Sequence, residues 1–321
     1  MKLVTPGRKA ERIDRLAELA AQDDEAGRSL WQETFARLRR NPMAIIGGVI
    51  VALFLLLSVI APLLAPYSPT AQTWRGETSI AQGIFPGPRA ENWLGVDDLG
   101  RDFFSRLVIG ARQTLLVGVV ATLLGFTAGT LLGAISGAAA GLGGRVGRWV
   151  DNVLMRITDM LLALPSLLLA VSIAAVLGRS LLTVMVAVGV VQIPVFARLL
   201  RGAMIAQATR DYVLAARALG VARWRIALNH VVPNSLGPVL VQATLTLATA
   251  IIEAAALSFL GLGNPDQSTP EWGLMLAQAQ RYLDVRPEWA FYPAAGIIIT
   301  ALGFTLLGEA LREALDPKLR K

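Results

Sequence analysis

The stretch DYVLAARALGVARWRIALNHVVP, Asp211–Pro233, stands between two apolar runs, each long enough to cross a bilayer. It holds three arginines and the only histidine of the sequence. A helix-forming block (DYVLAARAL), a glycine, a basic patch and a proline follow one another. Val213, Ala216, Arg217 and Gly220 recur at helical spacing, and Ala215, Ala216 and Ala218 are small enough for a helix here to lie deep in a groove. Gly220 is placed to stop that helix, as glycine does just past a C-terminus. Ala222–Leu228 resumes with Arg223, Trp224 and Arg225, and Pro233 suits the first turn of the next helix. The pattern predicts a lever: a short helix across a membrane face, joined through a glycine to the base of a span. A plain solvated basic loop is the alternative.

Composition supports the membrane setting. Of 321 residues 54% are hydrophobic and only 17% charged, with mean hydropathy +0.55, whereas soluble domains carry about 25% charge. With long apolar runs this predicts an all-α, polytopic membrane protein. Cysteine is absent, so neither disulfides nor thiolate metal sites are possible, and one histidine excludes a multi-His centre. No GxxxxGK[ST] occurs, so the chain has no nucleotide-binding loop of that type. The net charge of +7 fits Lys and Arg in cytoplasmic loops better than nucleic acid, because no basic soluble domain with interleaved aromatics is present.

Six transmembrane helices follow from the apolar runs. Residues 1–42 form a polar tail. Within it Leu30, Trp31, Thr34, Phe35 and Leu38 share one face beside Arg37, Arg39 and Arg40, as in an interfacial helix over 29–40. The long polar lead and long apolar segment do not fit a cleavable signal peptide. Span 1 is Met43–Leu64, at about 1.5 Å per residue enough for a hydrocarbon core of about 30 Å. Residues 65–107 are a Pro/Gly-rich loop, and 108–321 hold the other five spans. These are Val108–Ala138, Ile157–Leu177 with Pro165 inside, Leu181–Leu200, Val231–Leu260 and Trp289–Leu311. Short basic loops separate them at 139–156 and 206–230. Glycines 125, 129, 133, 137 and 141 recur every fourth residue, a stripe that suits close helix packing; a glycine-lined path is the alternative.

Charge bias sets orientation. With the N-terminus inside, the inner segments hold nine (tail), three (139–156), six (198–225) and four (C-terminal tail) Lys/Arg, 22 of the 30. Both termini and the lever are therefore expected in the cytoplasm, with Trp289, Phe291 and Tyr292 in the outer aromatic belt.

Glu253 is the one carboxylate well inside a span. It is a candidate for the substrate path or, alternatively, a hydrogen-bonded structural residue near the outer helix end. Asp159 and Glu309 lie near cytoplasmic ends, thin material for a proton relay. No nucleophile–His–acid set is evident, so the chain is expected not to be an enzyme. A body driven from outside is the reading that remains.

Asp211–Asn234 resembles the signature coupling loop of permease subunits of ATP-binding-cassette (ABC) importers. Leu214-Ala215-Ala216 takes the place of Glu-Ala-Ala, Gly220 that of the glycine, and His230–Pro233 the end. The glutamate is replaced by Leu214; Asp211 is the nearest acid. Leu94–Asp102, continuing through Ser105-Arg106 and Gly110-Ala111-Arg112, resembles an LGTDxxGRDxxSR…GAR block. Glu253-Ala254, Leu257–Gly263, Pro270, Trp272-Gly273 and Met275-Leu276 resemble a second block, and Arg40-Asn41-Pro42 a third. The likeness covers about residues 38–317 and is strongest to the C-type permease of the dipeptide/oligopeptide/nickel branch.

The resemblance implies a type I importer permease fold in a bacterial plasma membrane, moving peptides by alternating access. It implies a B-type partner permease, two cytoplasmic ATPases that bind ATP and Mg, and an extracytoplasmic binding protein. This chain itself would bind no cofactor and no metal. It assigns contact with the ATPases to Asp211, Tyr212, Ala215, Ala216, Arg217, Gly220 and Arg223. Nickel or another small solute is an alternative cargo. A stand-alone secondary transporter is an alternative class, which would need no ATPase and would follow an ion gradient.

Overall fold

The computed structural model describes residues 35 to 315, except residues 36 and 267. Most of the interfacial helix expected over 29–40 lies outside the described residues. The elements are α1 (Pro42–Leu64), α2 (Phe103–Leu142), α3 (Gly144–Leu162), α4 (Ser166–Leu177), α5 (Leu181–Ala208), α6 (Asp211–Ala218), α7 (Arg223–Ile226), α8 (Val232–Phe259), α9 (Trp272–Ala279) and α10 (Glu288–Leu315). A π-helical turn, Ala227–Val231, joins α7 to α8. No strand occurs among the described residues; two isolated bridges stand alone. Five stretches are long and apolar enough to cross a membrane: α1, α2, α5, the Arg223–Phe259 run and α10. The pair α3 and α4, bent by 93°, makes a sixth if counted as one span.

Local chemistry starts the helices where the chain needs them. The Asn41 side chain accepts from Met43 N–H at 2.8 Å, with Pro42 in the first turn of α1. Asp102 caps α2 by accepting from Ser105 N–H at 2.7 Å, and Ser180 caps α5 from Thr183 N–H at 3.0 Å. Each cap satisfies an N–H that the helix ladder leaves open.

The glycine stripe is a packing seam. A Cβ on Gly129 would lie 2.6 Å from the Ile193 carbonyl oxygen and from the Phe196 Cβ; one on Gly133 would lie 2.6 Å from the Ala197 carbonyl oxygen. Gly125, Gly137 and Gly141 meet Gln192, Met204 and Ala208 in the same way. The backbones of α2 and α5 therefore run in contact over about four turns, where lipid offers no hydrophobic drive to hold helices together. Gly47 and Gly303 make a matching close crossing of α1 and α10.

Four expectations are corrected. The second span is longer than Val108–Ala138, because Asp102 starts it earlier and the glycine seam carries it to residue 142. The basic segment 139–156 is not a loop: α3 begins at Gly144. Val146, Trp149, Val153, Ile157 and Met160 form one face of it, Arg145, Arg148 and Arg156 another, an amphipathic period that charge alone conceals. Pro165 breaks rather than kinks the third span: it stands outside the helical region, at φ −57°, ψ 129°, before α4. Proline lacks an N–H and disfavours helix in the preceding residue. Trp289, expected in a lipid-facing belt, is buried against Phe85, Phe103 and Tyr282.

That aromatic cluster belongs to a cap that closes one end of the bundle, opposite the basic segments. Gly95 and Gly100 hold φ near +80°, and a Cβ on Gly100 would strike Arg75 N at 2.3 Å. The turn they make aims Asp97 at Arg101 Nε (2.6 Å) and at the buried Arg106 Nε (3.3 Å). Arg106 donates onward to the Pro69 carbonyl and Gln278, and Tyr282 donates to Asp98, whose carboxyl burial pushes up. The Trp272 indole donates to the Leu107 carbonyl at 2.9 Å. Beside it Glu271 is buried, accepting from Ser258 Oγ at 2.7 Å through one oxygen while the other finds no partner. Burial pushes its carboxyl up to about 7.

Two outcomes follow from the packing. Gly129→Ala should lower the thermal midpoint of the detergent-solubilised protein, since overpacking costs about 1–3 kcal/mol. Gly202→Ala, with nothing within 4 Å, should leave it unchanged or raise it; equal melting of the two variants would refute the seam. For Glu271, the unfolded chain binds fewer protons than the folded one between pH 4.5 and about 7. Stability is then fullest below 4.5 and falls, by about 3 kcal/mol, as pH rises to 7. Glu271→Gln should flatten that slope in a melting series against pH, and an unchanged slope would show that another group sets it.

Candidate functional site

The short helix expected within Asp211–Pro233 is present as α6, joined through Gly220 to α7 and the base of α8, and its geometry follows from its residues. Arg210 precedes α6 in extended conformation and Asp211 stands in its first turn, where an acid favours the helix dipole. Val213 is fully buried and anchors α6 in a cluster with Phe196, Leu200, Met204, Ile226 and Val231. Ala216 packs against the same cluster. Gly220, at φ +75°, ends the helix in a Schellman turn: Gly220 N–H donates to the Arg217 carbonyl (3.0 Å) and Val221 N–H to the Ala216 carbonyl (3.1 Å). Nothing lies within 4 Å of a Cβ at Gly220, so the conformation, not crowding, requires glycine.

Two side chains bind the lever to the bundle. Arg217 donates to the Gly141 carbonyl at the end of α2 (3.1 Å), and the Tyr212 hydroxyl to Gln207 near the end of α5 (2.9 Å). On the far side the π-helical turn passes into α8 with Val232 N–H donating to the Ala227 carbonyl. Asn234 and Ser235 donate back to the His230 and Val231 carbonyls (2.6 and 2.7 Å). Single π-turns of this kind occur often at functional sites.

The outer surface of the lever is apolar as well as basic. Tyr212, Leu214, Leu219, Trp224 and Leu228 are exposed, Leu219 to 83%. Arg225 lies over the Trp224 ring at 5.2 Å. Of the residues singled out in the sequence, Asp211, Tyr212, Ala215, Arg217, Gly220 and Arg223 are exposed on this surface, and Ala216 is half-buried beneath it. The exposed leucines are outside the set that the sequence singles out; their signal is an apolar side chain on the polar side of the helical period.

Glu253 stands apart, toward the capped end of α8. It is half-buried, and its hydrogen-bonding neighbour is Ser166, the first residue of α4, immediately after the Pro165 break. Two further ion pairs escape a sequence reading because their partners are remote in the chain. Asp151 of α3 takes Arg201 in a bidentate grip (2.6 and 2.7 Å) and also accepts from Ser136. Asp159 pairs with Arg198. Among the described residues no group of three or more His, Cys, Asp or Glu is arranged to hold a metal.

Comparison with known proteins agrees with this architecture. Residues 125–321 match the family model described as binding-protein-dependent transport system inner membrane component. Residues 29–81 match the N-terminal transmembrane domain of oligopeptide transport permease C. A dipeptide transport system permease protein of Alkalihalophilus pseudofirmus is 42% identical over 299 residues, 93% of each chain. A glutathione transport system permease protein of Escherichia coli O157:H7 is 40% identical over 293 residues, 91% of this chain and 92% of the relative. An inward-facing structure of the MetNI methionine ABC transporter superposes with a TM-score of 0.54 at 21% identity, over 66% of this chain and 96% of that one, a likeness of fold. With a short helix anchored between two spans and relatives matching nearly end to end, this chain belongs to the binding-protein-dependent transport system inner membrane components, the C-type permease subunits of ABC importers.

Proposed function

We propose that the chain moves peptides into the cytoplasm by alternating access, with the basic end of the bundle inside and six spans when α3 and α4 count as one. The cargo reading rests on the dipeptide and glutathione permeases to which it is similar, since glutathione is itself a peptide. The observation that carries the mechanism is the lever: one side locked by Val213, Arg217 and Tyr212, the other presenting exposed leucines and arginines.

Energy then comes from two partner ATPases, which bind ATP and Mg and clasp α6. Apolar contact supplies binding at Leu214 and Leu219, in place of the glutamate usual at Leu214. Because Arg217 is bonded to the end of α2 and α7 is continuous with α8, a displacement of α6 moves α2, α5 and α8 as bodies rather than bending a loop. A B-type permease completes the path, and a binding protein docks at the cap. The rigid Asp97–Arg106 knot suits such docking, since it presents a fixed shape.

Ala215→Glu places a carboxylate on the clasped surface without touching the core. It should abolish ATPase stimulation by the peptide-loaded binding protein while the complex still assembles. Gly220→Pro, incompatible with φ +75°, should do the same by unlocking the Schellman turn. Normal stimulation in both variants would refute the lever.

A further inference from the structure

A charged pair stands where no charge should meet lipid. Arg198 lies ten residues before the end of α5 at Ala208, about 15 Å along the helix from its basic end. Its partner Asp159 is fifteen residues into α3. Both side chains are about half exposed, 54% and 53%. From the capped start of α5 at Leu181 to Arg198 is seventeen residues, about 26 Å, just inside the inner margin of a hydrocarbon core of about 30 Å. A charge there is costly unless it is hydrated or paired, so this face of the bundle meets water or polar matter rather than hydrocarbon.

A hollow of about 630 Å³ lies beside the pair, between the end of α3, α5 and α8; Arg198 and Gln242 are its polar residues, and its other walls, among them Leu162, Val195, Leu199 and Ala203, are apolar. On α8, Pro238, Gln242, Thr249 and Glu253 follow at spacings of four, seven and four, one helical face. Thr249 is exposed, and Gln242 and Glu253 are half-buried. Among the described residues of that face the side chains bond locally: Gln242 donates to Thr246 and Thr249 to the Thr246 carbonyl. The face therefore carries an arginine near the basic end, amide and hydroxyl groups along it, and a carboxyl at the far end. Gln242 and Glu253 are eleven residues apart, about 16 Å. A peptide of two or three residues spans at most about 11 Å, so it meets one charged end at a time.

We propose that this face of α5 and α8 is the wall of the translocation path and that Arg198, held by Asp159, is its station for the terminal carboxylate of a peptide. Asp159 keeps the guanidinium pointed at the hollow when no peptide is present and competes with the carboxylate, so the contact is reversible. Guanidinium and carboxylate match in a two-pronged geometry that an ammonium lacks. The proposal rests on the peptide-importer reading for the nature of the cargo, whereas the wet face rests on the burial and charge alone.

The cysteine-free sequence supplies the test. Gln242→Cys, Thr249→Cys and, as a lipid-facing reference in the middle of α1, Leu53→Cys are made singly in the complete transporter in proteoliposomes. Each is treated with a sulfonate-bearing or a trimethylammonium-bearing methanethiosulfonate; reaction needs a hydrated thiolate. The thiols at positions 242 and 249 should react at least tenfold faster than the thiol at position 53. The ratio of anionic to cationic rates at position 242 should fall about tenfold in Arg198→Gln, be restored in Arg198→Lys, and rise in Asp159→Asn. Inert thiols at 242 and 249 overturn the wall, and a ratio indifferent to Arg198→Gln overturns the carboxylate station. Uptake of radiolabelled trialanine by the same vesicles, with its binding protein and ATP, separates the two readings. Reactive thiols without trialanine uptake would retain the wet wall and sink the peptide station. Uptake with inert thiols would retain the importer and sink the wall.

Discussion

The rest of the structure depends on the contact of α2 with α5. Inside a bilayer apolar side chains gain nothing by leaving lipid for one another, so helices associate through close van der Waals approach and polar contacts. Glycine at every fourth position gives the closest approach available, backbone against backbone, over about four turns of both helices. Everything mechanical is hung on that pair. Gly141, the last glycine of the seam, offers its carbonyl to Arg217 of the lever, and the end of α5 supplies Gln207 and the short turn into α6. The buried Asp151–Arg201–Ser136 contact pins α3 to the same two helices. A force on α6 thus reaches a unit whose internal packing does not slide.

The two ends of the bundle are built on opposite principles. At the capped end, buried charge and aromatic rings hold long loops in one shape: Asp97 serves two arginines, and Phe85, Tyr282 and Trp289 interlock. Removing one partner of such a network leaves the others buried and uncompensated, which makes the cap a rigid surface. At the basic end the helix of the lever is short, mostly exposed, and held by one buried valine and a few hydrogen bonds. On the proposed reading the cap is the fixed shape on which a binding protein lands, and the lever the exposed helix on which an ATPase acts.

Much of this was legible in the sequence, for physical reasons that can be named. Apolar runs give spans because hydrocarbon thickness fixes their length, and the glycine period gives the seam because only one packing uses it. Gly220 and Pro233 punctuate the lever through backbone rules that hold in any context. What escaped was of two kinds. Amphipathic α3 was hidden because its arginines suggest a loop when read without their period. The Arg198–Asp159 pair and the hydrogen bonds of the cap network were hidden because their partners lie 39 and up to 184 residues apart, and nothing local in the chain announces a tertiary ion pair. Trp289 escaped for a related reason: an aromatic near a span end suits both a lipid belt and a core, and only the neighbours Phe85 and Tyr282 decide.

The Pro165 break joins these parts. By ending α3 at Leu162 it sets Asp159 within reach of Arg198 on α5, and by restarting at Ser166 it places the first hydroxyl of α4 beside Glu253 on α8. A continuous third span would carry residues 159 and 166 about two turns apart on one straight axis; the break sets α3 and α4 93° apart instead. α3 carries the acid that holds Arg198. α4 turns back against α5, with Ala170 and Ala174 buried among Val184, Met185 and Val188, and places Ser166 beside the acid of α8. On the proposed mechanism, a shift of α8 against α4 and α5 changes the Ser166–Glu253 contact, whereas the α2–α5 seam and the α3 contacts pinned to it stay as they are.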